Sequence, residues 1–288
     1  MQTPNELAEL KRVQREQWSV SAHGWNRWWG VFESGAQVVN DALCDMAQIS
    51  AGQRVLDLAC GLGEPSFSAA RRVGEHGLVT GVDLAAQMVA FANERAVERG
   101  AQNVRFVEGD GENLTFPDAS FDVAVCRWGL MLMPTPLLGA RSVHRVLVDG
   151  ARFATAVWSG PEHVPFIALP QSIAEREAGV APPGPETPGP LRMGREGQLE
   201  QCLTAAGFEI AESRVVPVTM TFDSPAHFVE FQRDMSSTLK RALSTQPVAE
   251  QERVWQILAR EVEPFVCRDG RVRFENRCRL AVAIRPPR

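Results

Sequence analysis

The chain has 288 residues, 44% hydrophobic and 23% charged, with a formal net charge of −5. That length suits one large domain or a domain with an added lid, and the composition is that of an ordinary soluble globular protein, expected in the cytoplasm. The acidic balance argues against a nucleic-acid partner, no apolar run is long enough to span a membrane, and the polar N-terminus reads as a helix rather than a signal peptide.

Residues 1–50 read as an N-terminal helical cap. Leu7, Leu10, Val13 and Trp18 fall close to helical spacing. The tryptophan-rich "WSVSAHGWNRWWGVF" follows, and "AQVVNDALCDMAQI" reads as a second amphipathic helix. From Gln53 strands and helices alternate. "RVLDLA" is the first strand, and "PSFSAARRVG" a helix with Pro65 in its first turn. "GLVTGVD" is the second strand, and "AAQMVAFANERAVERG" a helix closed by Gly100. "NVRFVEGD", "FDVAVCRW" and "ARFATAVW" are further strands, the last preceded by a helix through "LLGARSVHRVLV". Near-continuous apolar strands alternating with helices predict a parallel sheet covered on both faces over residues 51–160. Residues 161–196 break the pattern. "APPGPETPGP" is incompatible with a helix or central strand, so this stretch reads as a Pro-rich lid connection. Residues 197–288 then supply a helix, two more strands and a helical insertion at 224–264. The six cysteines are scattered with no CxxC, so they read as free thiols, and no metal site is expected.

The chemistry concentrates at "VLDLACGLGEP", Val55 to Pro65. A strand carrying Asp57 breaks into a turn with Gly61 and Gly63, where glycine permits positive φ and close backbone approach to a ligand. The following helix presents free N–H groups. Asp83 ends the second strand, where a carboxylate can accept from both hydroxyls of a ribose; its alternative role is to cap the next helix. Glycine turn plus acid indicates an adenosine-containing cofactor. Three details favour S-adenosylmethionine over NAD. Ser66 stands where G-x-G-x-x-G has its third glycine. Asp57 would repel a pyrophosphate but suits an ammonium and a sulfonium. In "EGDGENLTFPDASFD", Asp110 can accept from an adenine amino group and the Gly111 N–H can reach a ring nitrogen.

In these segments, and in "GVDLAAQM", "CRWGLMLMP" and "HRVLVDGARFATAVW", the chain resembles the class I S-adenosylmethionine-dependent methyltransferases, within them the ubiquinone and menaquinone biosynthesis C-methyltransferase group. The resemblance covers about residues 18–160 and fades after 200. It implies an α/β, Rossmann-like, doubly wound seven-stranded sheet whose last strand is antiparallel. It also implies that the turn from Asp57 through Ala59 to Gly63 holds the methionine part, Asp83 the ribose, and Asp110 with Gly111 the adenine. Leu84 and Met88 would pack near the adenosine, with the Cys126–Arg127 backbone near the amino-acid end. Trp29 and Glu112 are further cofactor candidates. Ala59 stands where the family usually has glycine.

The expected reaction is methyl transfer to carbon or oxygen of a small, largely apolar acceptor, quinone-like or a secondary metabolite, leaving S-adenosylhomocysteine. An NAD-dependent oxidoreductase and a non-catalytic cofactor-binding protein are the alternatives. Trp25, Trp28, Trp128 and Met131 are candidates for the acceptor pocket, the tryptophans being equally readable as core. His23, beside the tryptophans, is a candidate general base, or else a capping or surface residue. His163 is placed where lid and sheet meet. Arg127 can hold a carboxylate or stabilise an enolate or phenolate, unless it pairs with Asp122 or Glu112. His144, His76 and His227 read as non-catalytic. A monomer or homodimer is expected.

Overall fold

The structure is a computed structural model and describes residues 4–287. Seven strands form one sheet: β1 (Arg54–Leu58), β2 (Leu78–Asp83), β3 (Val104–Glu108), β4 (Phe121–Arg127), β5 (Leu147–Trp158), β6 (Glu209–Phe222) and β7 (Val272–Ile284). Their order is β3-β2-β1-β4-β5-β7-β6. The first five pair in parallel, and β7 lies antiparallel between β5 and β6, as expected. The apolar runs of β1, β2 and β4 are buried along most of their length because helices cover both faces.

The helices are α1 (Pro4–Arg27), α2 (Trp29–Met46), α3 (Ser66–Val73), α4 (Ala86–Glu98), α5 (Pro136–Val146), α6 (Pro165–Ala178), α7 (Gln198–Ala205), α8 (Pro225–Met235), α9 (Ser237–Leu243) and α10 (Val248–Glu261). Pro65 stands at the cap of α3, one residue before the helix, rather than in its first turn. Gly100, at φ 63, follows the end of α4. Among the described residues no helix is long and apolar enough to cross a membrane.

Two elements differ from the sequence expectation. The tryptophan-rich stretch is itself helical. α1 continues through it to Arg27, and the chain breaks only at Trp28 before α2 begins. The reason is that Trp18, Ala22 and Trp25 prolong one apolar face of α1, which packs with Trp29 of α2 on Leu62, Ala85, Met88 and Phe91. Inside the Pro-rich connection Pro165–Ala178 form α6, opening on a proline in its first turn. α6 forms because Phe166, Ile173 and Ala174 find a core to enter. Phe166 joins Phe222, Phe228, Phe231 and Phe274, the ring cluster that ties the insertion to the far strands. The "APPGPETPGP" segment itself has no helix or strand.

Candidate functional site

The strand order turns back at β1, which has β2 on one side and β4 on the other, so the loops leaving β1 and β4 diverge and open a crevice. A pocket fills it. Its floor comes from the loops after four strands: Ala59 and Gly61, Asp83 and Leu84, Asp110 to Glu112, and Arg127 to Gly129. Its roof comes from α1 and α2 through Lys11, Gln14, Trp18, Trp25, Trp29 and Phe32.

The glycine turn divides its labour. Gly61 has φ 51, and its N–H donates to Asp83 Oδ2 at 2.8 Å. A Cβ there would meet nothing within 4 Å, so the glycine is required for conformation alone. Gly63 (φ +108) does not line the pocket; a Cβ on it would lie 2.3 Å from the Phe67 ring, so it serves the packing of α3. Ala59 holds a left-handed φ of 58 without being glycine, at a cost of about 1 kcal/mol.

Asp83 accepts from Gly61 and, through Oδ1, from the Ala85 N–H at 3.0 Å. Burial pushes its carboxyl above the usual range, against these backbone donors. It therefore caps the turn into α4 and faces the pocket at once. Leu84 and Met88 line the wall beside it. Asp110 also faces the pocket, but its Oδ2 is taken by the Lys11 ammonium at 2.7 Å. Glu112 Oε2 forms an ion pair with the same ammonium at 2.7 Å, and its Oε1 accepts from the Thr135 N–H.

Asp57 lies wholly inside the protein, behind the pocket wall. Its Oδ2 accepts from Ser66 Oγ at 2.6 Å, Oδ1 has no hydrogen-bond partner, and burial pushes its pKa up to about 7. Cys126 is likewise buried and off the wall.

Arg127 is buried and pairs with neither Asp122 nor Glu112. Asp122 is held by Arg54 at 2.6 Å. Arg127 grips Glu33 of α2 with both terminal nitrogens, at 2.7 and 2.5 Å, and donates to Asn40 Oδ1 at 2.7 Å. Glu64 also faces the pocket; burial raises its pKa and the Glu33 charge adds to this, while hydrogen bonds from Ser68 and the Arg127 charge oppose it.

Of the expected acceptor residues, Trp25 and Trp128 line the pocket; Trp28 and Met131 do not. Trp28 faces the insertion and donates to Asp234 Oδ2 at 2.7 Å. Met131 is buried in the turn of Leu130–Leu132, and its neighbours Leu132 and Met133 reach the pocket instead. Trp128 stacks on Trp158 with centroids 4.3 Å apart and donates to Cys278. The histidines lie elsewhere. His23 is exposed on α1, edge-on to Phe91 at 5.2 Å. His163 lines a separate hollow beside the Pro-rich loop. His227, read as non-catalytic, is packed against Trp28 at 5.1 Å. Lys11, Gln14, Glu33 and Glu64 escaped sequence reasoning. The first two share with Trp18 and Trp25 a helical face at spacings of three, four and seven, a signal carried by polar residues that an apolar-periodicity reading passes over.

Residues 49–178 match the family model described as a methyltransferase domain. This segment belongs to that family. The chain is 38% identical over 120 residues to the ubiquinone/menaquinone biosynthesis C-methyltransferase UbiE of Azotobacter vinelandii, covering 41% of this chain and 47% of that protein. It is 33% identical over 142 residues to the aklanonic acid methyltransferase DauC of Streptomyces sp. strain C5, covering 46% and 64%. The chain thus spans about half to two thirds of these relatives. The crystal structure of the [4+2]-cyclase SpnF is 25% identical, with a TM-score of 0.56, covering 87% of this chain and 82% of that one. A putative methyltransferase from Bacillus halodurans shares the fold at 22% identity and TM-score 0.58, covering 86% and 99%.

Proposed function

We propose that this chain binds S-adenosylmethionine in the pocket and transfers its methyl group to carbon or oxygen of a small, largely apolar acceptor, quinone-like or a secondary metabolite. The observation that carries the reading is the convergence of Gly61, Asp83 and Asp110–Gly111, from three different strand ends, on one pocket. The residues present fit the ligand. Glu33, Glu64, Asp83, Asp110 and Glu112 face the pocket against only Lys11 and Arg127, a balance that suits a sulfonium and an ammonium. Asp83 accepts from backbone N–H groups at both oxygens and keeps lone pairs for ribose hydroxyls. The Ala59–Gly61 backbone would hold the methionine part, Asp110 and Gly111 the adenine, and Leu84 with Met88 the adenosine face. Trp25, Phe32, Trp128, Leu132 and Met133 supply the apolar wall for an acceptor.

When bound, the cofactor supplies a methyl group already activated by its sulfonium. The chain's contribution is alignment and the exclusion of water by the tryptophan roof. Among the described residues no histidine lines the pocket, so proton acceptance there would fall to a carboxylate such as Glu64. His23 and His163 are not part of this reading, because neither reaches the pocket.

Calorimetry with S-adenosylmethionine and S-adenosylhomocysteine tests the reading. Both are expected to bind, and Asp83→Ala is expected to weaken binding by about 1–3 kcal/mol through unpaired hydroxyls. A protein that binds neither overturns it. The likeness to the SpnF cyclase favours one second reading, a pocket that serves a reaction other than methyl transfer. Isotope-labelled methyl groups separate the two: turnover without S-adenosylhomocysteine formation would select the second.

A further inference from the structure

Of the 30 lysine and arginine residues in this chain, only Lys11 and Lys240 are lysines. Lys11 stands on the pocket side of α1, its side chain 21% exposed, with its ammonium 2.7 Å from both Asp110 Oδ2 and Glu112 Oε2. A compact ammonium with three rotatable donors can bridge two diverging carboxylates, where a planar guanidinium would favour one. Burial works to lower the Lys11 pKa, but the two carboxylates prevail and raise it, so the bridge is charged.

The other contacts described for this end of the helix are polar and near the surface. None of the described side chains of α1 before Ala22 is buried. Besides the Lys11 bridge, the N-terminal half is held through Gln14 Nε2 to the Leu132 carbonyl at 2.9 Å, Arg15 Nε to the Leu84 carbonyl at 3.4 Å and the Arg15–Glu108 ion pair at 3.5 Å. The other end is anchored. Arg27 pairs with Asp234 at 2.7 Å and also with Glu230, and Trp28 packs on Phe231. A segment held by polar surface contacts opens at lower free energy than one held by buried apolar area.

We propose that Lys11 is a positioning residue that fastens the N-terminal half of α1 over the Asp110–Glu112 end of the pocket and so sets the rate at which cofactor leaves. The inference rests on the S-adenosylmethionine reading above. The bridge holds the carboxylate assigned to the adenine and holds down the helix whose Trp18 and Trp25 roof the pocket. Cofactor exchange then requires the bridge to open.

The experiment is stopped-flow displacement of S-adenosylhomocysteine, followed by indole fluorescence, in the wild type and in Lys11→Met, which keeps the apolar stem. Release is expected to quicken about tenfold in the variant. Wild-type release is expected to accelerate with added NaCl, and that of the variant to be indifferent to it. A second readout needs no ligand. Competitive acylation with a limiting amine-reactive ester is expected to label Lys11 more slowly than exposed Lys240. Binding with equal release rates, or equal acylation of the two lysines, overturns the proposal alone. A wild type that binds neither S-adenosylmethionine nor S-adenosylhomocysteine overturns the cofactor reading and this proposal with it.

Discussion

Asp57 sits in the interior with one oxygen bonded to Ser66 and the other without a hydrogen-bond partner. Burial lifts its pKa from 3.8 to about 7, with the Ser66 bond and the Arg127 charge only partly opposing. The folded pKa thus exceeds the unfolded one, and the folded state binds the extra proton. The contribution to stability is fully present below 3.8 and is lost as the pH rises through about 7. Asp57→Asn keeps an acceptor for the Ser66 hydroxyl and has no proton to lose. The ligand-free variant is therefore expected to be more stable than the wild type at pH 8, with a flatter dependence between pH 4 and 7 in urea titrations. Parallel curves would show that Asp57 does not titrate in this range.

At the scale of elements, the pocket depends on a helix being held against a strand end. Arg127 closes β4, and Glu33 and Asn40 reach it from α2. Glu64 and Asp57 also lie within reach of the guanidinium's charge. One buried cation thus serves several carboxylates. Removing one partner of a buried pair leaves the others uncompensated, and Arg127→Met is expected to cost about 3–5 kcal/mol of unfolding free energy. The double variant Glu33→Gln, Arg127→Met is expected to recover part of that loss in chemical denaturation. Additive losses would show that the two side chains do not act as a unit.

Across the whole molecule, the N-terminal cap and the helical insertion meet over the same end of the sheet. Asp234 of α8 accepts from both Arg27 and Trp28, at 2.7 Å each. It ties the junction of α1 and α2 to the insertion, which is itself held by the phenylalanine cluster around Phe222. Asp234→Ala is expected to raise amide exchange across the α1–α2 junction while leaving the β1–β5 strands protected. Unchanged exchange there would mean that packing of Trp28 on Phe231, not the carboxylate, holds the junction.

The alternation of strands and helices from Gln53 was legible in the sequence because apolar periodicity and glycine stops are local signals. So was the meeting of the glycine turn, Asp83 and Asp110 at one pocket, because residues at the ends of neighbouring parallel strands lie in short contiguous motifs. The length of α1 was also recoverable, since its face runs unbroken through Trp18, Ala22 and Trp25. What the tertiary structure alone decided are the long-range pairings. Glu33 with Arg127 spans 94 residues, and Lys11 with Asp110 spans 99. A charged residue on an exposed helix face looks the same in sequence whether it meets water or a partner from a distant loop. The same holds for Trp28, Trp25 and His23, which share one short stretch and were all drawn toward the pocket. Helical geometry, one residue at a time, sends the first to the insertion, the second to the pocket and the third to the surface.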